Sequence, residues 1–231
     1  MHSKITFGAL VVLLLASACS PGVPAASPTS ILLPATATET AEPSETPTPT
    51  PQLSIGPKVI YDFLELACQA KWTNNGQDLP CPGEQFHIIG PGYVGVIEDA
   101  LVESDLLMNV PVLLTHPSSN GSFYGIFGAY PPISIKEGDQ FMSGLACLEG
   151  IEASGCTVQF ALEYYDENGA YFGYEATGWE WTESQDGVIN TVQVDLSPLA
   201  GQSVQLTLVV RDEGSPAGDY AVWIGPQLLR K

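Results

Sequence analysis

The sequence predicts an all-β fold, an antiparallel β-sandwich over residues 55–231. Three observations predict it. Apolar and polar residues alternate with period two in several segments, the mark of a strand with one buried face. Dipeptides suited to tight turns separate those segments. No long stretch carries the apolar periodicity of a helix.

The strands follow in order. In TVQFALEYY, residues 157–165, Val158, Phe160, Leu162 and Tyr164 share one face. In VINTVQVDL, residues 188–196, Val188, Val192, Val194 and Leu196 do the same. In SVQLTLVVRD, residues 203–212, Val204, Leu206, Leu208 and Val210 face inward, with Gln205 and Thr207 outward. Asn168–Gly169 accepts the positive φ of a two-residue hairpin turn, and Asp186–Gly187 does the same before VINTVQV. DEGSPAGD, residues 212–219, reads as a longer loop before a last strand, YAVWIGPQLL. LSPLAG, residues 196–201, suits a single helical turn. Short strands at this spacing fit a sandwich and not βαβ units. About 175 residues suffice to bury a core.

Two segments precede this domain. Residues 1–18 read as a signal peptide: Lys4 supplies the positive end, Ile5 to Ala16 the apolar run, and Ala16-Ser17-Ala18 the small residues before cleavage. The apolar run falls short of the roughly 20 residues of a spanning helix. ASAC, ending at Cys19, resembles the bacterial lipobox, although Ala16 stands where Leu is usual. The resemblance implies lipid on Cys19, palmitate among the acyl chains, and an anchor on the extracytoplasmic side of a bacterial membrane. Acyl chains contribute about 0.8 kcal/mol per buried CH₂, so several of them anchor firmly. Residues 19–54 are rich in Pro, Thr, Ser, Ala and Glu, as in TATETAEPSETPTPTPQ. Such a segment has too little to bury to offset its ordering entropy and reads as a disordered linker. At about 3.1 Å per residue in polyproline geometry, it reaches roughly 100 Å.

Export permits disulfides. Cys68, Cys81, Cys147 and Cys156 allow three pairings. Cys68–Cys81 and Cys147–Cys156 are favoured because each closes a short loop. Their spacing does not suit structural zinc. The formal charge is −19, from 26 acids against 7 bases. That surface repels nucleic acid and anionic headgroups, which excludes both as expected partners.

The C-terminal half resembles a known superfamily. WTESQDG (181–187), VDLSPLAGQSVQLTLVV (194–210) and DYAVWIGPQL (219–228) together look like the end of a galactose-binding-like jelly roll, a superfamily that includes many carbohydrate-binding modules. The resemblance is best over residues 140–231. It implies two antiparallel sheets packed face to face, and it implies no particular ligand. Many members carry a structural calcium. EDALVESD (98–105) and DEGSPAGD (212–219) offer hard oxygen ligands, although neither has the spacing of a known calcium loop. No other cofactor is expected.

Sugars are held by aromatic faces with a few hydrogen bonds to fix orientation. The richest aromatic stretch is AYFGYEATGWEWTE, residues 170–183. Read as one extended strand, it puts Tyr171, Trp179 and Trp181 on one face and Phe172 and Tyr174 on the other. Glu175, Glu180 and Glu183 stand beside them as acceptors, and Trp181 suits the core. NGSFYGIFGAYPP, residues 120–132, offers Tyr124 and Tyr130 for display, and Trp72 is a third candidate. The ligand-binding candidates are therefore Tyr171, Tyr174, Trp179, Glu180, Tyr124 and Tyr130. His87 and His116 are the histidines of the exported chain, and neither HExxH nor GxSxG occurs. The expected function is a non-catalytic, surface-anchored module for glycan or cell-wall polysaccharide. An envelope protein–protein interaction domain is the alternative, and a glycoside hydrolase a distant third.

Overall fold

A computed structural model describes residues 56–74, 76–83, 90–103, 105–117, 125–149 and 155–231. The expected signal peptide and linker, with Cys19, His87 and Tyr124, lie outside these residues. The described chain is an all-β antiparallel sandwich. Its strands begin with β1 (Lys58–Asp62), β2 (Lys71–Asn74), β3 (Gln77–Asp78), β4 (Tyr93–Ile97), β5 (Leu101–Val102) and β6 (Leu106–Leu107). They continue with β7 (Val112–His116), β8 (Gly125–Ala129), β9 (Ile133–Ser134), β10 (Asp139–Cys147) and β11 (Thr157–Tyr165). After β12 (Tyr171–Phe172) comes one helical turn, α1 (Tyr174–Thr177). The chain closes with β13 (Glu180–Ser184), β14 (Asn190–Asp195), β15 (Ser203–Asp212) and β16 (Ala221–Arg230). A six-stranded sheet runs β14-β10-β16-β7-β4, with β1 beside β16. An eight-stranded sheet runs β12-β11-β15-β8-β2-β3, with β13 also on β11 and β9 on β15. The hairpin of β5 and β6 stands apart.

The alternation sorts the residues as the sequence predicts. Val158, Phe160, Leu162 and Tyr164 of β11 and Val204, Leu206, Leu208 and Val210 of β15 are buried between the sheets. From the facing sheet come Phe141, Leu145, Trp223 and Leu228. Aromatic rings meet edge to face there: Phe160 and Trp223 at 4.7 Å, Phe63 and Tyr130 at 4.8 Å. Such contacts add about 0.5–1.5 kcal/mol beyond burial. A smaller cluster lies under the β5–β6 hairpin, where Val102 meets Val112, Leu114, Ala146 and Val222. Cys68 is bonded to Cys81 and Cys147 to Cys156, closing loops of 13 and 9 residues. The chain-entropy account gives each roughly 3 kcal/mol. Ser197–Leu199 forms the expected helical turn.

Five expectations fail for physical reasons. Asn168–Gly169 is not a two-residue turn. Gly169 alone takes positive φ, and the Asp166 carboxylate accepts the N–H groups of Asn168 and Ala170 at 2.9 and 2.8 Å, favouring a longer loop. Gly187 does turn the chain, at φ 85°, but β13 pairs with β11 and β14 with β10, so this turn crosses between sheets. Val188 lies in that crossing and is 54% exposed. Tyr130 and Trp72 are not displayed. Both are fully buried, and the Trp72 indole donates to the Ala67 carbonyl at 2.6 Å.

The 212–219 loop is held by a buried acid. Asp219 is 1% exposed, and its Oδ1 accepts the Thr157 N–H at 3.0 Å. Its Oδ2 has no hydrogen-bond partner among the described residues. Burial first, and then the neighbouring Asp212, push Asp219 up to about 8. In the folded protein the protonated acid is therefore favoured up to about neutral pH.

Two outcomes follow from this packing. Gly128 sits opposite Trp72 in the β8–β2 register, and a Cβ there would overlap the indole. Gly128→Ala should lower unfolding free energy by about 1–3 kcal/mol in a denaturant titration, and an unchanged midpoint would show that the ring has room to move. Asp219 gains its proton more readily folded than unfolded, so its contribution is complete below about pH 4 and erodes as pH rises towards about 8. Thermal melts should fall across that window. Asp219→Asn should flatten the fall, because the amide keeps the Thr157 bond and cannot ionise; an equal slope in the variant would refute this.

Candidate functional site

The outward residues of the eight-stranded sheet form a groove of about 750 Å³. Its floor follows the strand register. Tyr171, Tyr165 and Gln205 form one row across β12, β11 and β15. Glu163, Thr207, Ala129 and Lys71 form the next row across β11, β15, β8 and β2. Phe127 and Thr73 continue it on β8 and β2, and Arg211 stands at one end.

The wall of the groove comes from a break in the edge strand. Segment 171–184 does not run as one extended strand. β12 and β13 both pair with β11, and α1 interrupts them between Gly173 and Gly178. Gly178 takes φ 69° and returns its N–H to the Tyr174 carbonyl at 2.6 Å, a glycine C-cap. The predicted parity of Tyr171, Tyr174 and Trp179 is lost. The turn places Tyr174 and Glu175 beside Tyr171 in the lining of the groove.

Beneath the tyrosines lies Glu163, fully buried. Its Oε1 accepts Arg211 Nη2 at 2.7 Å and the Tyr174 N–H at 3.2 Å, and its Oε2 accepts the Tyr171 hydroxyl. The Arg211 guanidinium also lies 4.8 Å from the Tyr174 ring centre and 5.3 Å from that of Phe127. Burial, then the hydrogen bond to Glu163, raise the Tyr171 hydroxyl well above its ordinary value. It therefore stays protonated as a donor. The adjacent Glu175 charge raises Tyr174. In the same floor, Thr207 Oγ1 is buried with no hydrogen-bond partner among the described residues.

Of the candidates from sequence, Tyr171 and Tyr174 come together here. Tyr171 is 46% exposed. Trp179 packs on the core side against Tyr164, with ring centres 6.2 Å apart. Trp181 packs against the core as expected. Glu180 accepts the Gln159 amide at 2.7 Å at the sheet edge, outside the groove lining. Tyr130 is in the core. Sequence reasoning did not single out Tyr165, Phe127, Lys71 or Arg211. The outward parity of Gln205 and Thr207 was the available signal, because Arg211 shares it.

Among the described residues, one group of carboxylates has metal-ligand spacing. Glu103, from the 98–105 segment, meets Glu183 and Asp186 with oxygens within 4.8 Å of one another. Their oxygens already accept N–H groups: Glu103 from Cys147 at 2.8 Å and Gly187 at 3.0 Å, Glu183 from Ser184 at 3.0 Å and the Asn190 amide at 2.8 Å. Burial, opposed by the Asn190 bond and reinforced by the Glu103 charge, leaves Glu183 above the ordinary carboxylate range. The cluster ties the sheet-crossing turn to β10.

No family model and no curated protein matches this chain. Solved structures do. The CBM51-2 and INT domains of Clostridium perfringens ZmpB, in complex with GlcNAc, are 17% identical, with a TM-score of 0.39 over 62% of this chain and 28% of that one. This chain thus spans less than a third of that structure. CBM51 from Clostridium perfringens GH95, in complex with methyl-galactose, is 16% identical with a TM-score of 0.38, over 59% of this chain and 89% of the other. The CBM22-1–CBM22-2 tandem domain of Paenibacillus barcinonensis Xyn10C is 15% identical with a TM-score of 0.40, over 78% and 47% of the two chains.

Proposed function

We propose that the groove binds glycan and that the protein is a non-catalytic recognition module tethered to a membrane surface. One observation carries the reading: Tyr171, Tyr174 and Tyr165 line one open groove whose floor holds an unpartnered hydroxyl, Thr207 Oγ1. Tyrosine rings give C–H-rich sugar faces a stacking surface, and a buried hydroxyl without a partner costs free energy until a ligand satisfies it. Gln205 and Glu175 supply further donors and acceptors around it.

The groove does not favour a hydrolase. Such an enzyme needs one carboxyl free to give a proton and another to act opposite it. Glu163 is held by Tyr171, the Tyr174 N–H and Arg211, and its charge is matched. The tether rests on Cys19 after an apolar run and on the Pro/Thr-rich segment that follows. Two disulfides fit an exported domain.

Two measurements test these readings. On a glycan array the purified protein should bind at least one polysaccharide. Tyr171→Ala and Tyr174→Ala should each weaken that binding about tenfold, close to 1.4 kcal/mol. Unchanged binding by both variants would move the site elsewhere. Mass spectrometry of the protein purified from membranes should find acyl chains on an N-terminal Cys19; an unmodified thiol there would remove the anchor.

A further inference from the structure

We infer that the groove takes an uncharged glycan chain of several units laid along β15, and neither an acidic polymer nor a single sugar; this rests on the glycan reading above. The first support is length. A second hollow of about 360 Å³ lies between the Asp166–Gly169 turn and Ser203, and it shares Tyr165 and Gln205 with the groove. The two hollows form one trough. From Arg211 to Ser203 it follows eight residues of strand at about 3.3 Å each, roughly 26 Å. A monosaccharide fills only part of that length. Tyr165 and Tyr171 stand with ring centres 5.0 Å apart and planes at 41°, near the junction of the two hollows. Tyr174 stands farther along. Tyr165 and Tyr171 oppose each other across the β11–β12 ladder and make one stacking surface, and Tyr174, 4.8 Å from Arg211, makes another nearer the opposite end.

The second support is charge. Both cations in the trough are already matched: Lys71 meets Asp78 at 3.2 Å, and Arg211 meets the buried Glu163 at 2.7 Å. Glu175 lines the larger hollow, and Asp166 and Glu167 line the smaller, with no ion pair to any of the three among the described residues. Asp166 is held ionised, first by the Ala170 N–H. The trough is thus net negative within a chain of formal charge −19. Such a field repels uronate and phosphate polymers. The groups left for recognition, Gln205, Thr207 Oγ1 and the tyrosine faces, suit hydroxyls.

The test uses the purified full-length protein against immobilised xylan, β-glucan, mannan and galactan, beside polygalacturonate, alginate and hyaluronan. Calorimetry with oligosaccharides of whichever neutral polymer binds then measures length dependence. The inference expects binding to at least one neutral polymer and to no acidic one. It also expects affinity to rise at least about tenfold from disaccharide to hexasaccharide, a step of about one decade in Kd. Binding to an acidic polymer as tightly as to a neutral one overturns the inference and leaves the glycan reading standing. Full affinity for a monosaccharide does the same. Failure to bind any of the seven overturns the inference, and the glycan array then decides the broader glycan reading.

Discussion

A carboxylate with no access to water must be matched by donors, and Glu163 is the place where this chain meets that requirement. Several kcal/mol of desolvation attach to a buried ion, offset only by good geometry and further hydrogen bonds. Here the offset comes from an arginine on β15, a tyrosine hydroxyl on β12 and a backbone N–H at the start of α1. Satisfying one charge therefore fixes three elements relative to each other. The groove's shape follows, because those elements carry its aromatic rings.

The core and the groove are two faces of the same strands. On β15 the residues Val204, Leu206, Leu208 and Val210 close the interior, while Gln205, Thr207 and Arg211 face the groove. The interior side is apolar and tightly packed, with Trp223 and Phe160 in edge contact. That rigidity holds the register, and register holds the rows of groove residues in line. Loss of packing beneath would be felt above.

The alternation of the strands was legible because period two is a local property. The helical turn at Ser197–Leu199 and the two short disulfide loops were legible for the same reason. The groove was only half so. Tyr171 and Tyr174 were picked out by composition, yet α1 was not: four residues make no periodicity, and what supports the turn is Glu163, far away in sequence. Gly187 announces a turn but not which sheet the chain enters next. Trp72 and Tyr130 sit among turn-forming residues and read as exposed. They are buried because Gly128 leaves room for the indole and because Phe63 and Phe141 complete the ring cluster from distant segments.

The interruption between Gly173 and Gly178 has an effect beyond the groove. β12 and β13 form one border of the eight-stranded sheet, where backbone N–H and C=O groups face outward unpaired. A long, straight border of that kind is a template for another polypeptide to zip onto. A helical turn in its middle breaks the line into runs of two and five residues. The same insertion that raises the groove's wall thus makes this rim a poor seed for aggregation.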